Sequence, residues 1–342
     1  MRFGIGYYSL QSPPHNPITH KQLYAEMLEQ VSLAEELGFD SAWLTEHHFL
    51  ADGYCPSLLI TAAAIAARTK RIRIGTGVLL LPLHNPIKVA EDAAVVDIIS
   101  GGRLILGLGL GYRQEEFDGF GVSLKDRKGR MEEGIEILKK SWKGEAFSFE
   151  GRHYKIKNLN VTPKPVQKPI PIWIGAYQEP AIRRVARLGA PLYLASVGTI
   201  PFLQKEIALF HTALREFRRN PQDIEQPLVR DVYVTTKGKE KGWEEIKEHV
   251  KYIYKGYAEW GSMVDREGNL ITNPHDPRLG EVVKEQGIFG APEECIEAIK
   301  TLQQALPSLN HLVCRFEFPG LSYKQSMKSM KLFAGKVMQY IK

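Results

Sequence analysis

The chain has 342 residues, 44% of them hydrophobic and 25% charged, with 30 glycines and 20 prolines, which suits one large or two ordinary globular domains with a substantial core. Its 45 basic and 39 acidic residues leave a net charge of +6, but they are interspersed, and the densest basic run, Arg68-Thr69-Lys70-Arg71-Ile72-Arg73, carries no interleaved aromatics, which argues against a nucleic-acid partner. Three cysteines without a Cys-x-x-Cys, no signal-peptide core after Met1 and no apolar run near the ~18 residues of a membrane span point to a cytoplasmic protein with no membrane association.

Residues 2–8 read as a buried strand, and a loop rich in proline and histidine follows over 11–20. Leu23, Met27, Val31, Ala34 and Leu37 then recur at helical spacing and stop at Gly38, a helix-ending glycine. The next strand, Phe39-Asp40-Ser41-Ala42-Trp43-Leu44, runs into Thr45-Glu46-His47-His48-Phe49. An apolar strand that ends in a carboxylate and two imidazoles is delivering ionisable groups to a pocket. Glu46 with His47 or His48 can form a base and its orienting partner, and strand alternation gives the two histidines different roles. The alternative is a buried, purely structural pair. No third ligand stands nearby in sequence, so no metal is expected.

The alternation continues. Residues 56–69 form an Ala-rich helix and 71–81 a strand whose Gly75-Thr76-Gly77-Val78 signals a bulge or the close approach of a ligand. A helix over 86–100 closes at Gly101-Gly102, and 103–110 is a Gly-alternating strand. Gly107-x-Gly109-x-Gly111 is not a dinucleotide loop, because Tyr112 fills the sixth position and no helix opens there. Residues 126–142 are helical, 145–168 are an insertion holding a small hairpin, and strand–helix pairs follow at 170–175 with 179–188, 192–196 with 199–219, and 228–235 with 243–260. Residues 262–286 are polar and aperiodic, the pattern of an active-site lid loop. A helix over 292–306, a strand over 311–318 and an amphipathic helix over 322–341 complete the chain. Eight strands alternating with helices make a single-domain TIM (β/α)8 barrel with insertions, whose chemistry sits at the carboxyl ends of the strands. Tyr7 and Tyr8 should line that mouth with residues 46–48, 77–81, 109–112 and 176–178.

Four ordered blocks resemble the bacterial luciferase-like flavin-dependent oxidoreductases over nearly the whole chain: Gly38-Phe39-Asp40 with Trp43-Leu44-x-Glu46-His47-His48-Phe49; Ala90-Glu91-Asp92 with Asp97 and Ser100-x-Gly102-Arg103; Gly290-x-Pro292-Glu293-Glu294-Cys295-Ile296; and Phe316-Glu317 with Ser329-Met330-Lys331-Leu332-Phe333. The resemblance implies a monooxygenase that takes reduced FMN from a separate flavin reductase and O2, forms a C4a-hydroperoxyflavin and oxygenates a small, mainly apolar substrate such as an aldehyde or alkane. It implies His47 as the catalytic acid/base, supported by Glu46 and His48. It also implies a cis peptide at Gly77-Val78 behind the flavin ring, Gly109 beside the ring, Tyr177 and Gln178 at the phosphate with Arg127 or Arg130, and a homodimer. The rival readings are a deazaflavin (F420) hydride-transfer dehydrogenase on the same barrel, disfavoured by Tyr177-Gln178-Glu179-Pro180 where those enzymes carry a Gly-Pro turn, and a non-catalytic flavin-binding or partner subunit.

Overall fold

The computed structural model describes residues 1–194, 198–265 and 269–341. Parallel strands alternate with helices from the start: β1 (Arg2–Tyr8), α1 (His20–Glu36), β2 (Ser41–Leu44), α2 (Leu58–Arg68), β3 (Arg73–Thr76), α3 (Pro86–Ser100) and β4 (Leu104–Leu108). A short helix α4 (Gln114–Gly119), α5 (Arg127–Ser141) and an antiparallel hairpin of β5 (Phe147–Glu150) and β6 (Lys155–Leu159) come next, the hairpin where it was expected. The barrel resumes with β7 (Ile172–Gly175), α6 (Glu179–Leu188), β8 (Leu192–Tyr193), α7 (Ile200–Glu216), β9 (Pro227–Val234) and α8 (Lys239–Glu259). It ends, after a tiny hairpin of β10 (Met263–Val264) and β11 (Leu270–Ile271), with α9 (Arg278–Gln286), β12 (Ile288–Gly290), α10 (Pro292–Ala305), β13 (His311–Arg315) and α11 (Tyr323–Lys336).

The sheet runs β13-β1-β2-β3-β4-β7-β8, and β9 pairs with β13 on one side and with β8 through the Leu194–Leu228 bridge on the other, so it closes on itself. This is the TIM-type barrel read from the alternation. β12, in a stretch the sequence reading assigned to no element, adds a ninth strand along Val232–Val234 of β9. Residues 262–286 are also more ordered than expected: Leu279, Val282 and Val283 of α9 pack with Ile246, Val250 and Ile253 of α8 in a second apolar cluster, which is what makes that stretch helical. Residues 266–268 of the expected lid lie outside the described residues.

Strands buried on both faces read as continuous apolar runs. Phe3, Ile5, Ile74, Leu106, Ile174 and Leu312 face the helices. The lumen is filled by Trp43, Trp173 and Tyr193, with Trp43 4.7 Å from Trp173 and 5.0 Å from Tyr193 between ring centroids. Trp43 also explains Gly75, since a Cβ there would stand 2.2 Å from Trp43 Cε3; the close approach is a protein ring, not a ligand. Below this layer His311 Nε2 lies 2.7 Å from Ser41 Oγ, which accepts from Trp43 Nε1 at 2.7 Å. The barrel is plugged at its amino end, which leaves the carboxyl end for chemistry.

Candidate active site

Residues 45–48 leave β2 at the carboxyl rim and stay buried. His47 and His48 diverge, as alternation predicts. His47 Nδ1 lies 2.8 Å from Glu116 Oε1, and its ring packs on Trp260 at 4.7 Å and Tyr54 at 4.8 Å. Among the described residues its Nε2 meets only the Tyr112 hydroxyl, at a long 3.5 Å. Glu116 is fully buried on α4 and also accepts the His48 N–H at 2.9 Å and Arg113 Nη1 at 3.2 Å. Burial alone would raise this carboxyl; the hydrogen bond and charge of His47, the His48 N–H and Arg113 outweigh it and hold it below the usual range. An ionised acceptor on Nδ1 fixes the tautomer that carries its proton there and turns Nε2 toward the mouth as the free basic atom.

His48 points the other way, its Nε2 2.7 Å from Glu46 Oε1. The same oxygen lies 2.7 Å from His84 Nε2, and Glu46 Oε2 accepts the Leu80 N–H at 2.7 Å. Of the two pairings the sequence left open for Glu46, the structure takes His48; the partner of His47 is Glu116, 69 residues later. Burial would raise Glu46, but the bonds from His48 and His84 hold it down to about 2, and His84 is raised in turn by Glu46 against the opposing effect of burial. Glu46, His48 and His84 bring three donor atoms within 4.8 Å. No third partner was visible beside the Glu-His-His run because His84 comes from the loop after β3. Both Glu46 oxygens are engaged by these three hydrogen bonds, and the group ties the rim of β2 to that loop.

That loop contains the expected cis peptide, Gly77–Val78. The half-buried Val78 side chain rests between Gly109 and Gly175, where an added Cβ would lie 2.2 and 3.4 Å from its methyl groups. Gly109 is thus the seat of Val78 at the mouth. Tyr112 and Tyr177 are 39% and 47% exposed, yet burial pushes both hydroxyls up. Tyr8 is not at the mouth. It is buried behind β1, where its hydroxyl donates to Gln30 Oε1 at 2.7 Å. Two hollows, under α1 beside Tyr8 and Glu317 and at the amino end beside Arg2 and Arg73, lie away from this site.

At the rim of β7, Gln178 is the N-cap of α6 without a side-chain cap. The N–H groups of Ala181 and Ile182 return to Gln178 O, Pro180 has none, and those of Tyr177, Gln178 and Glu179 have no partner among the described residues. Such an end suits an anion. Arg127 Nη1 donates to Leu124 O at 2.7 Å, while its buried Nε has no partner among the described residues. Arg130 Nε donates to Pro82 O at 2.7 Å, and its guanidinium lies 5.0 Å from the centre of Tyr154. Neither arginine bonds to Tyr177 or Gln178. The uncapped helix end and the apolar Val78 platform suit a phosphorylated flat ring.

The model of the luciferase-like monooxygenase family matches residues 1–309, and the chain belongs to that family. It is 28% identical to the oxygenase component of the flavin-dependent trigonelline monooxygenase of Acinetobacter baylyi, over 94% of this chain and 90% of that one. Identity to the alkanal monooxygenase alpha chain of the Kryptophanaron alfredi symbiont is 25%, over 100% and 99%. A 34% identical match to the uncharacterized protein y4vJ of Sinorhizobium fredii covers 62% of this chain and 61% of that protein. Among solved structures, the monooxygenase RslO1 of Streptomyces bottropensis superposes with a TM-score of 0.86 at 25% identity, covering 99% of both chains. No helix among the described residues is long and apolar enough to cross a membrane.

Proposed function

We propose that the protein is the oxygenase component of a two-component system, which takes reduced FMN from a separate reductase and O2 and oxygenates a small, mainly apolar organic molecule such as an aldehyde or alkane. The observation that carries this reading is His47: Nδ1 held on buried Glu116, Nε2 facing an aromatic mouth. The tyrosine- and tryptophan-lined wall excludes water, and His47 Nε2 takes and returns a proton at the reacting atoms. Val78 would back the ring, while the α6 amino end, with Arg127 or Arg130, would hold the phosphate. Bound reduced flavin supplies the electrons and the activation of O2. A His47→Ala variant that keeps its FMN affinity but loses oxygenation supports this role; undiminished turnover refutes it.

Exposed Ile60 on α2 and Val95, Ile98 and Ile99 on α3 support a homodimer that buries these faces together. Sedimentation of wild type and Ile98→Glu tests it, with a dimer and a monomer expected; a monomeric wild type refutes it.

A further inference from the structure

Four aromatic rings run down the lumen from the mouth. Gly6 pairs with Trp43 and Tyr8 with Leu44, so Tyr7 is the extra residue of a bulge in β1, and its ring turns into the lumen beside Val78. It stacks on Tyr193 at 6.5 Å between centroids; Tyr193 stacks on Trp43 at 5.0 Å, and Trp43 on Trp173 at 4.7 Å. The Tyr193 hydroxyl lies close under the Gly77–Val78 segment, 2.8 Å from where a Cβ of Gly77 would stand. Filling the barrel calls for large rings, but it does not call for the polar chain that hangs from one of them.

Trp43 Nε1 donates to Ser41 Oγ at 2.7 Å, Ser41 Oγ lies 2.7 Å from His311 Nε2, and His311 Nδ1 lies 2.8 Å from Glu225 Oε1. Burial would raise Glu225, but the His311 bond and the charges of Arg73 and Arg2 hold it down to about 2. An ionised Glu225 only accepts, so Nδ1 carries the ring proton and Nε2 accepts from the Ser41 hydroxyl. Trp43, Ser41 and His311 therefore form one donor-to-acceptor chain that ends on a carboxylate paired with Arg2 and Arg73 at the amino end. An indole that loses an electron becomes a strong acid, so a ring whose N–H already meets a proton acceptor is the easiest to oxidise. The other three rings lack that advantage. Arg315 lies 4.6 Å from the Tyr7 ring centre and Arg73 5.8 Å from that of Trp173, and a cation over a ring opposes a positive charge on it. The buried Tyr193 hydroxyl has no acceptor among the described residues.

We propose that this stack is a one-electron relay in which Trp43 is the donor: a light-excited oxidised flavin at the mouth takes one electron from Trp43 across Tyr193, while the indole proton leaves through Ser41 toward His311. Trp43 gives its Nε1 proton to Ser41 as Ser41 gives its own to His311 Nε2, which leaves a neutral indole radical and an imidazolium beside Glu225. A soluble thiolate then supplies one electron, becoming a thiyl radical, and the proton returns from His311 to the indole. The relay draws oxidising equivalents away from His47 and the tyrosines of the mouth. It rests on the flavin reading for the identity of the oxidant; the ring stack and the proton chain do not.

The test uses the full chain, flavin-free, with Tyr177→Cys at the mouth labelled by a ruthenium polypyridyl photo-oxidant; Cys55, Cys295 and Cys314 are buried and stay unlabelled. Trp260→Phe is carried throughout, because Trp260 packs on His47 at the same mouth. A flash in the presence of a soluble electron acceptor turns the label into a one-electron oxidant. Transient absorption should then show a neutral indole radical whose formation slows in D2O. Trp43→Phe should lose this radical, and Ser41→Ala should give instead the indole radical cation, which absorbs at longer wavelength, with no solvent isotope effect. Tyr193→Phe removes one unpartnered hydroxyl from an intact fold and should delay the radical. The same neutral radical in Trp43→Phe, or an unchanged isotope effect in Ser41→Ala, overturns the proposal. With FMN bound, the flavin emission lifetime should be short in the parent protein and lengthen in Tyr193→Phe; equal lifetimes overturn the flavin as the oxidant. FMN binding itself is read separately by equilibrium dialysis, so failure of the flavin reading is distinct from failure of the relay.

Discussion

Glu116→Gln is the sharpest perturbation of the site, because it changes one charge and almost no shape. Glu116 Oε1 receives His47 Nδ1 at 2.8 Å, the His48 N–H at 2.9 Å and Arg113 Nη1 at 3.2 Å, all out of contact with water. A glutamine keeps one acceptor oxygen but removes the ionic part of these bonds, about 1–2 kcal/mol for the His47 bond alone. It also relaxes the tautomer preference of the ring. We expect kcat to fall roughly 10–100-fold with KM within about twofold, in line with the loss of groups that orient a functional histidine. Long-range proton–nitrogen spectra of histidine-labelled protein give a readout independent of turnover: one ring should change from a single Nδ1–H tautomer to a mixture. A variant that turns over normally with that ring unchanged would refute the orienting role.

Gly109→Ala drives a Cβ to 2.2 Å of Val78 Cγ2, so Val78 must move. FMN affinity, followed by flavin fluorescence, should drop about tenfold at a stability cost of about 1–3 kcal/mol, and Gly109→Ala with Val78→Ala should recover the affinity; an unaffected single variant contradicts the assigned platform. The His84–Glu46 pair makes a pH prediction. His84 is raised, so its contribution is complete below the unfolded value of 6.5 and is lost as pH rises through its folded value; Glu46 is depressed to about 2, so its contribution is present above 4.5 and is lost as pH falls toward 2. His84→Asn should therefore cost the most between these limits, roughly 1 kcal/mol near pH 5.5, and less at pH 9; a melting-temperature difference that does not change with pH contradicts the pairing.

The barrel was legible because two-sided burial writes strands as apolar runs and helices as 3.6-residue patterns, and both signals survive in one dimension. β12 was missed because three residues, Ile288–Gly290, are too few to show a period. α9 was hidden by charged residues on its exposed face. At the site, His47 and the Gly77–Val78 bond followed from local motif and resemblance, whereas Glu116 and His84 did not. Their pairings join segments 69 and 38 residues away, and Gln114-Glu115-Glu116 reads like any solvated helix turn. A buried Phe117 next to Glu116 was the one available sign that this turn faces inward. Tyr8 was misplaced for a related reason: the bulge at Tyr7 exchanges which of two adjacent tyrosines faces the lumen, and a one-residue register change carries no sequence signature.

The most direct test of the central claim is a stopped-flow absorbance trace of the protein mixed with photoreduced FMN and then with oxygenated buffer, beside the same experiment with reduced F420. The account predicts a protein-dependent flavin transient that outlives the reoxidation of free reduced FMN and is shortened by some small, mainly apolar substrates such as an aldehyde or alkane. Reoxidation of FMN at the free-solution rate, with tight binding of F420, would contradict it and place the protein among hydride-transfer enzymes.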